Sequence, residues 1–318
     1  MRFLWVFIAM MTATPAMAND KPFGVWLSEF VAQAKSEGVS DATLNSAFAN
    51  TAPIDRIIEL DRKQPEGTKT LSEYLEGAVN MKRIVDGKSN LANNLDLLKK
   101  VENEFGVDKE IIVALWGIET NYGENTGNFS VVDSLATLAY DGRRSDYFRT
   151  ELMNALKIID ADHITAAEMD GSWAGAMGQC QFMPTSFLKY AVDYDKDGKR
   201  DIWSTQADVF ASIAHYLQSE GWVKGQPLAM PISLPANFDM ALTDIKMTKS
   251  VSEWKKMGVT YNDGSALTGD NDDVSVIMVG KDADQVPYIV YNNFKVILKW
   301  NRSRYFATAV DMLSEEIR

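Results

Sequence analysis

Cysteine and histidine are nearly absent from this 318-residue sequence, which contains one cysteine, Cys180, and two histidines, His163 and His215. A single cysteine cannot form an internal disulfide, so stability has to come from packing. The sequence has no HExxH or CxxC pattern, which argues against a zinc site and, with so few histidines, against a Ser-His-Asp triad. If the protein is a hydrolytic or lytic enzyme, its available reactive groups are carboxylates.

Basic residues are also few, because 32 lysines and arginines stand against 44 aspartates and glutamates and give a formal charge of −12. A chain this acidic is a poor partner for nucleic acid or for anionic lipid. Its apolar runs are too short to span a bilayer, so we expect no membrane span. We also expect a monomer.

The first eighteen residues predict a signal peptide. Arg2 gives a basic start, residues 3–11 form an apolar run, and residues 16–18 (Ala-Met-Ala) form a small-residue cleavage site. No cysteine follows that site, so a lipid anchor is not expected. We therefore expect cleavage after Ala18 and a mature protein in the periplasm. A retained, uncleaved anchor is the alternative.

Apolar residues recur at helical spacing through the first two thirds of the mature chain. The spacing predicts helices over residues 23–38, 40–49, 70–85, 91–105, 108–122, 131–140, 145–159 and 206–220. Residues 54–65 indicate either a short helix or an extended connector that ends at Pro65. The sequence thus predicts a helical domain over residues 19–225.

The composition changes after residue 225, where three prolines and several Asp- and Gly-rich loops interrupt the chain. Residues 274–279 and 288–291 alternate as strands do. Residues 303–317 predict a C-terminal helix that packs back on the helical core. We therefore expect a mainly α protein with a small mixed β region over residues 226–318.

Glu119 lies on an apolar face of a predicted helix that begins near Asp108. Ile112, Leu115 and Trp116 precede it at spacings of seven, four and three, so the four side chains share that face. Desolvation and the negative end of the helix dipole both act to raise its pKa, as a general acid near neutral pH requires. The alternative is a carboxylate that faces solvent at a frayed helix end.

Residues 171–187 combine three glycines with hydrogen-bonding and aromatic side chains. The glycines indicate a loop with tight turns and close backbone approach. Ser172, Gln179 and Gln181 alternate with aromatic rings, and that combination suits the hydroxyls and the apolar face of a sugar. A buried loop with a purely structural glutamine is the alternative.

Residues 193–204 resemble the calcium-binding loop of an EF-hand. Positions one, three, five and nine carry carboxylates, position six is glycine, and position seven would give its backbone carbonyl. These positions are Asp193, Asp195, Asp197, Asp201, Gly198 and Lys199. Ser204 replaces the usual bidentate glutamate at position twelve, so an extra ligand or a water is needed. We expect a structural calcium ion that stiffens the loop; an acidic turn without metal is the alternative.

These motifs together resemble the lytic murein transglycosylase B family in their order and spacing. The resemblance rests on Trp116–Gly123, Gly171–Gly178, Gln181–Pro184, the acidic loop, Ala214–Leu217 with Gly221–Trp222, and Trp300–Ala307. It covers most of the mature chain and is densest between residues 107 and 222.

The resemblance implies a goose-lysozyme-like helical core with added helical and β elements. It also implies cleavage of the β-1,4 bond between N-acetylmuramic acid and N-acetylglucosamine in peptidoglycan, with formation of a 1,6-anhydromuramoyl end. Glu119 would be the single acid/base, which protonates the glycosidic oxygen and then takes the proton from the muramic C6 hydroxyl. The sugar's own N-acetyl group would support the charge at C1, so neither a second carboxylate nor a cofactor is required.

The resemblance extends to further site residues. Residues that match the family's sugar site are Ser172, Gln181, Tyr216 and Asn301. Residues that match its calcium loop are Asp193, Asp195, Asp197 and Asp201. Trp300 and Phe306 stand where relatives have tyrosines, which puts two polar contacts in doubt, and Tyr305 is a candidate to replace one of them.

Two other functions stay open on the sequence. A muramidase would use water, with Asp133, Asp141 or Asp162 as partner base, and would leave free reducing ends. A non-catalytic scaffold would bind peptidoglycan without cutting it. The complete motif around Glu119 argues against the scaffold.

Overall fold

The computed structural model describes residues 21–63, 69–270 and 272–318. The predicted signal peptide and the predicted stop at Pro65 lie outside these ranges. Within the described ranges, none of the helices is both long and apolar enough to cross a membrane.

Helices dominate the described chain. They are α1 (Phe23–Ser36), α2 (Asp41–Ala47), α3 (Asp55–Arg62), α4 (Leu71–Ala78), α5 (Met81–Asn93), α6 (Leu95–Phe105), α7 (Lys109–Thr120), α8 (Val131–Asp141), α9 (Ser145–Asp160), α10 (Pro184–Tyr190), α11 (Gln206–Ser219), α12 (Val251–Lys256), α13 (Asn292–Trp300) and α14 (Arg304–Ile317). The mainly α fold is confirmed, and for the described residues 54–63 the choice left open by the sequence is resolved as a short helix, α3.

In the described ranges, seven strands form two small antiparallel sheets. The strands are β1 (Phe129–Ser130), β2 (Asp170–Gly171), β3 (Ala229–Ser233), β4 (Thr248–Ser250), β5 (Thr260–Tyr261), β6 (Asp273–Val279) and β7 (Val286–Val290). The first two pair with each other, and the rest form a sheet in the order β4-β6-β7-β3-β5. Sequence alternation predicted β6 and β7 but missed β3, because a proline within a run argues against a strand. Pro231 is tolerated in β3 because it pairs with Tyr288 of β7 and lies outside the two-residue pairing with β5.

Several predicted helix boundaries are wrong. The single helix expected over residues 70–85 is broken after Ala78, because Asn80 starts α5 by accepting a hydrogen bond of 2.9 Å from the Arg83 N–H. Helix α5 then runs to Asn93, past the expected start of the next helix at Leu91. The short helices α10 and α12 and the whole of α13 were not predicted from the sequence.

Helix α7 is the centre of the core. All of its residues from Glu110 to Gly117 are buried. They are buried on every face of the helix because four other helices, α14, α5, α11 and α6, pack around it. A smaller cluster, which includes Val251 and Trp254, fills the space beside the five-stranded sheet. The larger cluster draws residues from both sides of residue 225, and the division of the chain there stays a prediction.

Candidate active site

Glu119 lies in the last turn of α7, and its side chain is half-buried. Its Oε1 accepts a hydrogen bond of 2.7 Å from the indole Nε1 of Trp300, the last residue of α13. Burial raises the pKa of Glu119 to about 7, and the indole hydrogen bond opposes part of that rise. The carboxyl therefore has both protonation states accessible near neutral pH, as an acid/base catalyst requires.

Helix α7 ends at Thr120, two residues before the end at residue 122 that the sequence predicts. Asn121 and Tyr122 leave the right-handed helical region, with φ of 51° and 61°. Tyr122 folds back on the helix, where its hydroxyl donates to the Arg83 carbonyl at 2.7 Å. A Cβ at Gly117 would lie 2.6 Å from the Tyr122 ring. Gly117 is therefore needed so that the Tyr122 ring can pack against α7 in the turn that follows Glu119.

Gln179 ties the glycine-rich loop to α7. Its Oε1 accepts a hydrogen bond of 2.8 Å from the indole Nε1 of Trp116, and its Nε2 donates to the Trp203 carbonyl at 2.8 Å. Its own carbonyl accepts from the Thr120 hydroxyl at 3.1 Å. The side chain is buried, so Gln179 has a structural role and fixes the loop relative to the end of α7.

The loop between β2 and α10 needs its glycines for close approach. A Cβ at Gly171 would lie 2.2 Å from the Ala176 carbonyl oxygen. Gly178 has a φ of 62°, and a Cβ there would lie 2.6 Å from the Ile202 carbonyl oxygen. Larger residues would push the loop away from the positions that it takes beside α7 and α11.

The four predicted sugar-site residues differ in their surroundings. Ser172 Oγ accepts from the Ala176 N–H at 3.0 Å, and Asn301 Oδ1 accepts from the Ser303 N–H at 3.0 Å, so both cap local turns. Gln181, with a φ of 50°, donates through Nε2 to the carbonyls of Thr126 and Gly178, each at 3.0 Å. Its Oε1 has no hydrogen-bond partner among the described residues.

Tyr216, the fourth predicted residue, belongs to an aromatic layer around Trp300. Its ring centroid lies 4.7 Å from that of Trp300, and the Phe182 ring lies 5.2 Å from Trp300 on another side. Tyr190 completes the layer at 4.4 Å from Tyr216. Burial raises the pKa of Tyr216, so its hydroxyl stays protonated. The layer joins α10, α11, the loop and α13 beside Glu119.

The two positions that depart from the family pattern have different outcomes. Phe306 is buried and makes no polar contact, whereas Trp300 supplies a polar contact through its indole N–H. Tyr305 packs against Tyr74 with ring centroids 5.6 Å apart. Its hydroxyl is buried without a hydrogen-bond partner in the described part of the chain, so its role as a replacement stays a prediction.

Sequence reasoning missed three residues near Glu119. At Trp300 the sequence analysis expected only the loss of a tyrosine's polar contact. The indole of tryptophan nevertheless carries an N–H donor, which is suited to a carboxylate. The pKa of Tyr74 is raised by its burial and by the charge of Glu119. Burial, with a further contribution from Glu119, raises the pKa of the Cys180 thiol. Neither Tyr74 nor Cys180 carries a local sequence signal of its position.

The acidic loop gathers three of its predicted ligands. Carboxylate oxygens of Asp193, Asp195 and Asp197 all lie within 4.8 Å of one another. Oxygens that bind one calcium ion at 2.3–2.6 Å can be no more than about 5 Å apart, so this spacing fits the ion. Backbone N–H groups hold the loop in this shape, including that of Gly198, which donates to Asp193 at 3.0 Å.

Asp201, the predicted ligand at position nine, is engaged elsewhere. Its Oδ1 accepts from the N–H groups of Trp203 and Ser204, both at 2.9 Å, and its Oδ2 accepts from the hydroxyls of Ser204 and Thr205. This carboxylate therefore shapes the end of the loop. A residue at position nine of such loops often reaches calcium through a water.

Asp208 holds the acidic loop through hydrogen bonds to its backbone, a role that the sequence did not predict. Its two oxygens accept from the N–H groups of Tyr194 and Asp201, both at 2.7 Å. The side chain is buried, and burial raises its pKa to about 6. It therefore joins the two ends of the loop to α11.

Comparison with known proteins identifies the family. Residues 22–315 match the Transglycosylase SLT domain family. The chain is 32% identical over 228 residues to the membrane-bound lytic murein transglycosylase B of Escherichia coli (strain K12), a match that covers 70% of this chain and 60% of that protein. The match thus spans less than two thirds of that relative's length.

Solved structures share the fold. SltB3 from Pseudomonas aeruginosa, in complex with NAG-anhNAM-pentapeptide, is 41% identical with a TM-score of 0.89, over 93% of this chain and 80% of that one. SltB1 from the same organism, a soluble lytic transglycosylase, is 32% identical with a TM-score of 0.83, over 92% and 98%. Escherichia coli Slt35 in complex with calcium is 27% identical with a TM-score of 0.80, over 95% of each chain. This protein therefore belongs to the transglycosylase SLT domain family, with the lysozyme-like fold that its relatives have.

Proposed function

We propose that this protein is a lytic transglycosylase that cleaves the β-1,4 bond between N-acetylmuramic acid and N-acetylglucosamine in peptidoglycan and forms a 1,6-anhydromuramoyl end. The observation that carries the proposal is Glu119. It is a half-buried carboxyl with a pKa of about 7 whose hydrogen-bond partner among the described residues is an uncharged indole. Family membership and the anhydro-sugar ligand of SltB3 support this chemistry.

The proposed reaction uses Glu119 twice. The protonated carboxyl gives its proton to the glycosidic oxygen as the bond from that oxygen to C1 of the muramic acid breaks. The resulting carboxylate then accepts the proton of the C6 hydroxyl, whose oxygen forms the new bond to C1. The sugar's N-acetyl group supports the charge at C1 between these steps. Residues proposed to line the sugar site are Ser172, Gln181, Tyr216 and Asn301.

A water-using muramidase would need a second carboxylate near the bond. Asp141 instead pairs with Arg62 at 2.9 Å. The Asp162 side chain is 87% exposed and lies 3.7 Å from Lys199, at the acidic loop. Asp133 lies in the first turn of α8, where its N–H donates to Ser130. The side-chain contacts of Asp141 and Asp162 therefore favour a mechanism with Glu119 as the single acid/base.

The test is the chemistry of the products from purified sacculi. Mass spectrometry of a wild-type digest is expected to show 1,6-anhydromuramoyl ends, and Glu119→Gln is expected to lower activity at least 10²-fold because it removes the acid/base. Glu59→Gln is the matched control, since Glu59 is exposed on α3 and pairs with Arg56. Free reducing ends would show a muramidase, and a wild type that binds sacculi without cutting them would show a scaffold.

We further propose that the protein works in the periplasm and binds a structural calcium ion. The periplasmic location is supported by the leader-like residues 1–18 and by a substrate that is part of the cell envelope. Asp193, Asp195 and Asp197 would hold calcium directly, with the Lys199 carbonyl, and Asp201 would act through a water. The calcium complex of Slt35 supports the ion. The ion would stiffen the loop and take no part in the reaction.

A further inference from the structure

The hydrogen bond between Trp300 and Glu119 is short and joins residues 181 positions apart in the sequence. At 2.7 Å it lies at the short end of the range for N–H···O bonds, where bonds to charged acceptors are found. Trp300 is the last residue of α13, and Glu119 lies in the last turn of α7. Two helix ends therefore meet at this one contact.

The indole is held in place on two sides. Tyr216 lies edge-on to the Trp300 ring at 4.7 Å and 64°, and Phe182 lies at 5.2 Å and 55°. A tryptophan packed in this way cannot swing its N–H toward another acceptor without disturbing both rings. The donor is thus fixed relative to the carboxyl before any substrate binds.

An indole N–H can only donate a hydrogen bond, and this property decides where the acid proton lies. Oε1 of Glu119 accepts from the indole in both protonation states. In the acid form the carbonyl oxygen of a carboxyl is a better acceptor than its hydroxyl oxygen, so the hydrogen bond favours Oε1 as the carbonyl oxygen and Oε2 as the oxygen that carries the proton. Oε2 has no hydrogen-bond partner among the described residues. A tyrosine hydroxyl at position 300 could donate or accept, and it would leave either oxygen able to carry the proton.

We propose that Trp300 is the positioning residue of Glu119, because its indole holds Oε1 as a permanent acceptor and leaves Oε2 as the oxygen that gives and takes the proton. The inference rests on the proposed function only for its catalytic consequence. Two other titratable groups face Glu119, Tyr74 from α4 and Cys180 from the glycine-rich loop, and the pKa of each is raised. Both therefore stay neutral while Glu119 titrates.

The first test follows the carboxyl directly by carbon-13 NMR, with its signal assigned by its loss in E119Q. Trp300→Phe keeps a ring but removes the donor that favours the carboxylate, so the Glu119 titration is expected to move upward by about one pH unit. Trp300→Tyr, which restores a donor, is expected to return it toward the wild-type midpoint. An unchanged midpoint in Trp300→Phe would overturn the proposal, whether or not the protein cuts peptidoglycan.

The matched control is Trp222→Phe. Trp222 donates its indole N–H to Asp108 at 3.3 Å, at the other end of the same helix. Removing this second indole–carboxylate bond is expected to leave the Glu119 titration where it is. An equal shift of the Glu119 midpoint in both variants would mean that the titration responds to any change at the ends of α7, and the specific role of Trp300 would be refuted.

A second measurement needs no variant at position 300 and covers the case in which Trp300→Phe does not fold. In wild-type protein the Trp300 indole N–H resonance is expected to titrate with the same midpoint as the Glu119 carboxyl. It is expected to lose that titration in E119Q, while the Trp222 resonance does not report this midpoint. An indole resonance that ignores the carboxyl titration would contradict the proposal.

Activity then tests the consequence for catalysis. In Trp300→Phe, kcat on sacculi or soluble glycan strands is expected to fall about tenfold or more, the factor for a lost hydrogen bond to a charged group, with KM nearly unchanged. The alkaline limb of the pH–rate profile is expected to move upward with the carboxyl titration. A rise in KM alone, with kcat and the limb unchanged, would assign Trp300 to sugar binding and contradict its positioning role.

Discussion

The raised pKa of Glu119 lowers the stability of the fold at neutral and alkaline pH. Burial that raises the pKa of a carboxyl does so by penalising its charged form, and the unfolded chain carries no such penalty. The group is therefore harmless to stability below its ordinary pKa of 4.5, and the fold loses stability as the pH rises from there to about 7. The loss is at most about 3 to 4 kcal/mol, since the shift from 4.5 to about 7 is about 2.5 pKa units at 1.36 kcal/mol each.

We predict that Glu119→Gln stabilises the protein at pH 8 and has little effect at pH 4.5. The amide keeps the shape of the side chain and cannot ionise, so the variant avoids the penalty that the wild type meets at high pH. Urea unfolding at the two pH values measures the difference. Glu59→Gln, an exposed control, is expected to change by less than about 0.5 kcal/mol at either pH. Equal stabilisation at both pH values would exclude the ionisation as the cause.

At the residue scale, sequence spacing placed Glu119 on an apolar helix face, and the family resemblance made it the candidate acid/base. Neither named its hydrogen-bond partner. Ile112, Leu115 and Trp116 mark a buried helix face, because residues three and four apart on a helix share a side. The partner comes from the end of another helix, α13, which the sequence did not reveal. Position 300 therefore looked like a lost contact, whereas the structure gives it a donor role.

The acidic loop is an element whose local geometry follows from local sequence. Aspartates at every second position, followed by a glycine with a φ of 96° at position 198, turn their carboxylates toward one centre. The same element depends on the rest of the fold at both ends, where Asp208 of α11 holds the N–H groups of Tyr194 and Asp201. The ligands of the proposed calcium site therefore come from the loop itself, while Asp208 of α11 holds the ends of the loop.

We predict that calcium raises the melting temperature of the wild-type protein by about 5 °C at a hundredfold excess over its Kd, because an ion that binds only the folded state stabilises it. Asp195→Asn is expected to remove most of this shift. Scanning calorimetry with calcium or with a chelator gives the measurement. Asp263→Asn is the control, since Asp263 is an exposed turn residue bonded to Ser265. No shift in the wild type at millimolar calcium would refute the ion site.

At the scale of the whole molecule, the C-terminal helix covers the helix that carries Glu119. Helix α14 packs on α7, α5 and α4, so the last residues of the chain enclose elements formed from its first third. Phe306, Val310 and Leu313 are buried, as the predicted apolar face requires. Trp300 reaches Glu119 from the helix that immediately precedes α14. The contact between Trp300 and Glu119 therefore depends on the packing of α14 against α7.

We predict that Leu313→Ala destabilises the whole protein by about 3 kcal/mol, the usual effect of removing a fully buried leucine side chain. Met312→Ala is the matched control. Met312 is next to Leu313 in the sequence but is 39% exposed, so its truncation is expected to change the free energy of unfolding by less than about 1 kcal/mol. Denaturant unfolding followed by circular dichroism compares the two. Similar values for both variants would mean that α14 contributes little to the fold.

The sequence by itself narrowed the candidate reactive groups to carboxylates and predicted most of the long helices and the acidic loop. The near absence of histidine and cysteine left carboxylates, helical spacing placed Glu119 on a buried face, and alternating aspartates predicted an acidic loop over residues 193–204. Such conclusions need only the chain's composition and the fixed periods of helices and turns. Motif order added the family, which comparison with known proteins confirmed.

Only the tertiary structure decided how the site is assembled. The Trp300 donor and the aromatic layer around it come from elements far apart in the sequence, and Asp208, although only seven residues from Asp201, reaches the loop from a separate helix. Their contacts depend on how α13 and α11 pack, and no local period encodes that packing. The pKa of Glu119 has the same origin, because burial and the indole hydrogen bond are properties of the folded surroundings and not of the residue.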